Sequence, residues 1–159
     1  MVAPTWTYLL FLILLIAFGI PLSIIDVREH RLPNVLTGSL LLSTLCLVTG
    51  SAITVHNHHR LIESFVGALS LPTFYILVSL MTKGGVGIGD VKLSISVGLI
   101  SGYFGWSVLW ISTFLAIATG AIFSILSMII GKVSAKDAIP FGPFILLGQL
   151  LALLSLNLN

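Results

Sequence analysis

Two aspartates in an otherwise apolar chain, Asp26 and Asp90, are the residues whose presence demands a chemical reason. Asp90 lies in Lys83-Gly84-Gly85-Val86-Gly87-Ile88-Gly89-Asp90-Val91-Lys92, between two long apolar runs. Placing an aspartate near the middle of a membrane helix costs about 2.5–3.5 kcal/mol, less near an interface. The glycines clear side chains from around the carboxylate, so backbone, water or a substrate chain can come close, and they permit local unwinding. Asp26 opens a second polar cluster, Asp26-Val27-Arg28-Glu29-His30-Arg31, closed by Leu32-Pro33-Asn34. Two carboxylates sharing one site cannot both ionise cheaply, so one stays protonated and one charged. The ionised one can take a proton from water, and the protonated one can polarise a peptide carbonyl. Water can then attack an amide with no metal, cofactor or covalent nucleophile. Asp26 and Asp90 are therefore the expected catalytic pair. Their titration would belong to the pair, and the residues alone do not say which starts as the base.

The composition sets the solvent in which this chemistry runs. Of 159 residues, 57% are hydrophobic and 8% charged, and the mean hydropathy is +1.17. A soluble domain is normally about 25% charged. Such a chain cannot cover its surface with polar groups, so its solvent is the lipid bilayer. The length allows one transmembrane domain, residues 1–159, with no soluble appendage. A net charge of +2 is too small for nucleic-acid binding. The single cysteine, Cys46, excludes an intrachain disulfide and a cysteine zinc cluster, and within its apolar run it is expected to pack in the core.

The elements that must hold the aspartates follow from the uncharged runs. Thr5 to Ile25 carries no charge over a length that spans a hydrocarbon core of about 30 Å. Met1–Tyr8 has no Lys or Arg, so the run is expected to be an uncleaved first span, not a signal peptide. Pro21 is expected to kink it one turn before Asp26, and Pro33 suits the first turn of the next helix. Leu32 to Val55 is the second span. His56-Asn57-His58-His59-Arg60 reads as a polar loop, and the third span runs from near Glu63 to about Thr82, with Pro72 inside it. Leu93 to Gly131 has room for two spans, divided by a tight turn at Ser101-Gly102-Tyr103-Phe104-Gly105-Trp106. The fourth span must then begin near Ile88, which draws Asp90 and Lys92 into its first turns. Gly131 to Asp137 is a polar loop. Ala138 onward is the sixth span, opening with Ile139-Pro140-Phe141-Gly142-Pro143.

Six alternating spans put Arg28, Arg31, Lys83, Lys92, Lys132 and Lys136 on one side and Arg60 alone on the other. Cations collect on the cytoplasmic side, so both termini are expected outside. Asp26, at the end of the first span, and Asp90, at the start of the fourth, then share a depth at the cytoplasmic edge. Lys92 is two residues from Asp90 and on a regular helix does not share its face. A role toward substrate or lipid head groups suits Lys92 better than a salt bridge to Asp90. Arg28 and Arg31 could serve similarly, though they read first as orientation signals.

Gly87-Ile88-Gly89-Asp90 fits the Gly-x-Gly-Asp signature of intramembrane aspartic proteases, and Gly-Ile-Gly-Asp-Val-Lys-Leu resembles the type IV prepilin peptidase family in particular. Asp26 to Asn34 resembles that family's first aspartate motif, in which Asp precedes a basic stretch and a Pro-Asn. Ile139-Pro140-Phe141-Gly142-Pro143 resembles its third short motif. Three motifs in order on six apolar spans cover nearly the whole chain. The resemblance implies an all-α multi-pass protein of the bacterial cytoplasmic (inner) membrane. It implies an endopeptidase that removes the basic leader of prepilins or pseudopilins, after a glycine at the cytoplasmic membrane border. Asp26 and Asp90 carry over as the catalytic residues. Gly87, Gly89, Lys92, Arg28, Arg31, Pro33, Asn34, Pro140 and Gly142 are the expected substrate-contacting or site-shaping residues. Many members of the family carry an N-terminal region with paired Cys-x-x-Cys motifs and methylate the new terminus. This sequence has neither, so it resembles a short form in which methyltransferase activity is expected to be absent.

Simpler roles exist for each residue. Asp90 could merely favour a helix N-terminus, and Asp26 could be an ordinary residue of a solvated loop. His56, His58 and His59 fit a solvated outer loop better than a metal site. Glu63 fits a helix start, and Trp6, Trp106 and Trp110 fit interfacial anchors. Pro140 and Gly142 fit a helix-start device that shapes a groove near the aspartates. Two functional rivals remain. A presenilin-like or signal-peptide-peptidase-like protease resembles Tyr-Asp at the first aspartate, where Ile25 precedes Asp26 here. A small ion- or proton-coupled transporter would use Asp26 and Asp90 as relay carboxylates.

Overall fold

The computed structural model describes residues 5–82, 86–131 and 140–156. They form six α-helices: α1 (Thr5–Glu29), α2 (Asn34–Thr54), α3 (His58–Met81), α4 (Ile88–Phe104), α5 (Trp106–Ile129) and α6 (Gly142–Ser155). Apolar sequence in a bilayer has no water to satisfy its backbone, so each run closes its own hydrogen bonds as a helix. The ends are set by residues that cannot continue. Pro33, extended at φ −67°, precedes α2. Gly87, also extended, precedes α4. Gly105, at φ +117°, separates α4 from α5 in a conformation that L side chains rarely adopt.

Four helices, α1, α2, α3 and α5, are long and apolar enough to cross a membrane. With 17 residues and 14 residues, α4 and α6 reach only about 25 and 21 Å at 1.5 Å per residue, short of a core of about 30 Å. Much of α4 is buried. It packs most extensively on α3, where Gly67, Gly98 and Gly102 let the two backbones touch: a Cβ on Gly98 would strike the Gly67 carbonyl oxygen, and one on Gly102 that of Glu63. Helices in lipid associate through such small residues and through buried polar contacts. Ser101 of α4 supplies one of the latter, donating to Gln149 Oε1 of α6 at 2.6 Å, close to Ser112 of α5. The outward faces carry exposed Ile13, Leu69, Phe114 and Ile129, as a lipid-facing surface should. Trp6, Trp106 and Trp110 are exposed too.

Several expectations need correction. α1 runs on through Glu29, so Asp26 lies inside the helix and is not part of a polar loop after it. α3 starts at His58, leaving only a short turn at His56 and Asn57. Its first turns use the polar residues: His59 pairs with Glu63 at 3.4 Å, and the Arg60 guanidinium lies 5.2 Å from the centre of the Tyr103 ring. Ser101 to Phe104 is the last turn of α4, with Ser101, Gly102 and Tyr103 buried, and the break is Gly105 alone. Gly102 is there for close packing, and Tyr103 stacks on Phe11 at 5.4 Å. Cys46 faces outward, not into the core. Pro21 and Pro72 lie inside α1 and α3, within the spans where the sequence places them. Lys83, Lys132, Lys136, Asp137 and Ile139 lie outside the described residues.

Candidate active site

The last turn of α1 and the first turns of α2, α4 and α6 meet at one end of the bundle. Asp26 is 4% exposed and Asp90 7%. Both line a single open cleft of about 340 Å³, with His30, Arg31, Leu32, Asn34, Gly87, Ile88, Gly89 and Lys92, and each carboxylate lies within electrostatic reach of the other. Two acids 64 positions apart in sequence are thus brought into one concavity, and neither is a solvated loop residue.

Each carboxylate is held by a backbone N–H from a helix start. Gly142, the first residue of α6, donates to Asp26 Oδ2 at 3.0 Å. Phe141, the residue before Gly142, is packed between α3 and α5. Its ring lies 5.9 Å from that of Tyr75 on α3, and a Cβ on Gly120 of α5 would come within 2.8 Å of it. Asp90 is the third residue of α4 and accepts the Gly87 N–H at 3.3 Å. The modest helix-start role is therefore present at Asp90, and it engages one oxygen of the two. Ser79 of α3 donates to the Val86 carbonyl at 2.9 Å, which pins the segment leading into Gly87. The glycine stretch is thus extended at Gly87 and helical from Ile88.

Of the other residues expected here, Lys92 donates to Asn34 Oδ1 at 2.9 Å and ties α4 to α2. Arg31 lines the cleft and pairs with Glu29 at 2.9 Å on the surface. Arg28, Pro33 and Pro140 do not line it. Pro33 instead offers its carbonyl to Thr37. Three neighbours are not among the expected site residues, although two of them lie inside the first motif. Tyr75, 2% exposed, lies near enough to Asp90 to feel its charge. His30, at φ +50°, stands in the same relation to Asp26. Leu32 packs between the two helix starts. Among the described residues no cluster of three His, Cys, Asp or Glu could hold a metal ion.

Chemically, the cleft offers a pair of carboxyl groups, walls of backbone at Gly87 and Gly89, and cations at its rim. Such a pair can activate water against a carbonyl.

Comparison with known proteins gives a consistent result. The profile of the Type IV leader peptidase family matches residues 9–125, a span that contains both aspartates and ends before Gly142. The chain is 36% identical over 147 residues to a Legionella pneumophila protein named prepilin leader peptidase/N-methyltransferase, covering 91% of this chain and 50% of that protein. Proteins of the same name from Stutzerimonas stutzeri and Pseudomonas aeruginosa are 32% and 30% identical over 143 residues, each covering 89% of this chain and 48% of the relative. The chain thus spans about half the length of these curated relatives. No solved structure matches it. A transporter finds no support in these comparisons.

Proposed function

The chain belongs to the type IV leader peptidase family, and on that premise we propose that it is an aspartic endopeptidase acting on prepilin or pseudopilin leaders. The observation that carries this reading is the placement of Asp26 and Asp90 in one cleft. In the proposed reaction one carboxylate takes a proton from a water molecule as that water attacks the scissile carbonyl. The other carboxyl, protonated, donates a hydrogen bond to the carbonyl oxygen. The tetrahedral intermediate collapses as the leaving nitrogen takes a proton from the pair. Water and a peptide bond become a leader ending in a glycine carboxylate and a pilin with a free amine.

The substrate's leader reaches the cleft from the cytoplasm, and its apolar helix lies in the bilayer. This is supported by the gathering of exposed Arg28, Arg31 and Lys92 at the site end and Arg60 at the opposite end of α3, against Tyr103. Cations favour the cytoplasmic side. Six membrane-crossing helices, external termini and an inner-membrane location complete the proposal. In it the shorter α4 and α6 begin below the surface, where the carboxylates are reached.

The test is incubation of the purified protein with a prepilin-type substrate, with mass spectrometry to locate the cut. Cleavage after the leader glycine by the wild type, and none by Asp26→Asn or Asp90→Asn, is the expected result. Cleavage that survives either substitution excludes the two-carboxylate mechanism.

A further inference from the structure

Three buried side chains line the cleft: Asp26, Asp90 and Leu32. The two acids are the proposed chemistry. Leu32 is the one apolar group there that is withdrawn from solvent, since Ile88 is 78% exposed. It lies in the connection between α1 and α2, which is secured at both ends. The His30 N–H donates to the Asp26 carbonyl at 2.9 Å, and the Thr37 N–H donates to the Pro33 carbonyl at 3.1 Å. Leu32 is therefore carried on a short connection between two closed helix ends.

Its position relative to the acids is defined by two glycines. A Cβ on Gly89, the residue before Asp90, would lie 3.1 Å from Leu32 Cβ. A Cβ on Gly142, whose N–H holds Asp26, would lie 3.4 Å from Leu32 Cδ2. The leucine thus reaches from the start of α4 to the start of α6. Gly87 and Gly89 line the cleft with bare backbone, whereas Gly142 is packed on Asp26 and Leu32. Where a side chain on Gly89 would project, the space is taken by Leu32, and at Gly142 by Asp26 and Leu32 together.

We infer that Leu32 is the specificity-determining residue that restricts the substrate position bearing the scissile carbonyl to glycine. The inference builds on the proteolytic reading above. A substrate carbonyl that reaches both carboxyl groups places its own α-carbon against this leucine, and a methyl group there has no space. One carbon in a close-fitting pocket commonly discriminates by about 10- to 200-fold. Shortening Leu32 removes more volume than alanine adds.

The experiment compares kcat/KM for two prepilin-type substrates that differ only in having glycine or alanine before the cut. The enzymes are the wild type, Leu32→Ala and Leu32→Val. The ratio is taken within each variant, so a loss of folded protein cancels, and the milder Leu32→Val keeps most of the packing. The expected result is a strong wild-type preference for glycine that falls at least tenfold in Leu32→Ala and by less in Leu32→Val. An unchanged ratio in both variants overturns the inference, whatever happens to the absolute rates. A wild type that cuts both substrates equally well overturns it while leaving proteolysis intact. A wild type that cuts neither removes the proteolytic reading itself.

Discussion

Asp26 Oδ2 accepts a hydrogen bond from the backbone N–H of Gly142 at 3.0 Å, across 116 positions of sequence. The donor is the first residue of α6, where unpaired N–H groups and the helix dipole favour a negative charge. The contact makes the third motif part of the site in space, although it lies outside the segment that matches the family profile.

A side chain at Gly142 would spoil this contact. The Cβ of alanine would stand 2.7 Å from Asp26 Oδ2, so the carboxylate must move. A displacement of about 1 Å can cost on the order of 100-fold in rate. Gly142→Ala is expected to lower kcat by about that factor with KM little changed. Single-turnover cleavage assays, with helix content checked by circular dichroism, test it.

Asp26→Asn and Asp90→Asn are each expected to abolish cleavage, and the double variant to be no worse than either. Groups that act as a unit are non-additive in this way. Residual rates measured at high enzyme concentration decide the matter. A double variant that falls by the product of the two single losses would mean that the aspartates act independently.

The same pairing sets the pH dependence. In the proposed reaction one proton is shared by two carboxyl groups, so the active form would be the singly protonated one. It is lost to full protonation on the acid side and to full ionisation on the basic side. A bell-shaped profile of kcat/KM against pH is expected, its two limits belonging to the pair. A profile with one limb only would exclude a shared proton.

The aspartates were legible in the sequence because charge is costly in an apolar chain, and the glycines before Asp90 marked an opening in the helix wall. The helix starts at Asn34, Ile88 and Gly142 were close to legible, since proline and glycine punctuate them. What holds Asp26 was hidden, because a backbone N–H has no side-chain signature and Gly142 looked like a simple helix start. Tyr75 was hidden among the apolar residues of α3, and nothing local marks its approach to Asp90. Ser101 to Phe104 was misread as a turn because Gly102 suits either a turn or close packing. Only the neighbouring backbone of α3 distinguishes the two. Cys46 misled for the opposite reason: in a bilayer an apolar run packs on both its faces, one against protein and one against lipid, and composition cannot tell them apart.

The Lys92–Asn34 hydrogen bond, 2.9 Å and exposed, joins α4 to α2 at the rim of the cleft. An exposed bond of this kind contributes about 1 kcal/mol. Lys92→Met and Asn34→Ala are each expected to reduce stability by that amount, and the pair together by little more, because both remove the same interaction. Thermal unfolding in detergent measures the cycle. Fully additive losses would show that the bond contributes nothing.

The contact of α3 with α4 carries the last prediction, because it sets where Asp90 stands. Gly98 faces the Gly67 carbonyl and the Ala68 backbone, and backbone atoms cannot swing aside as a flexible side chain would. Gly98→Ala must therefore push the two helices apart, a loss of about 3 kcal/mol at the upper end for overpacking. Gly50 lies within α2 with no atom near a built Cβ. There alanine gains about 0.5–1 kcal/mol by narrowing the unfolded backbone. The same substitution is thus expected to act with opposite signs at two helical glycines. The Gly98 variant should also lose activity beyond its loss of folded protein, because a shift of α4 changes where Asp90 stands relative to Asp26. Thermal midpoints and specific activities of the two variants, measured side by side, provide the check. Equal midpoints would remove the α3–α4 contact as the support of the site.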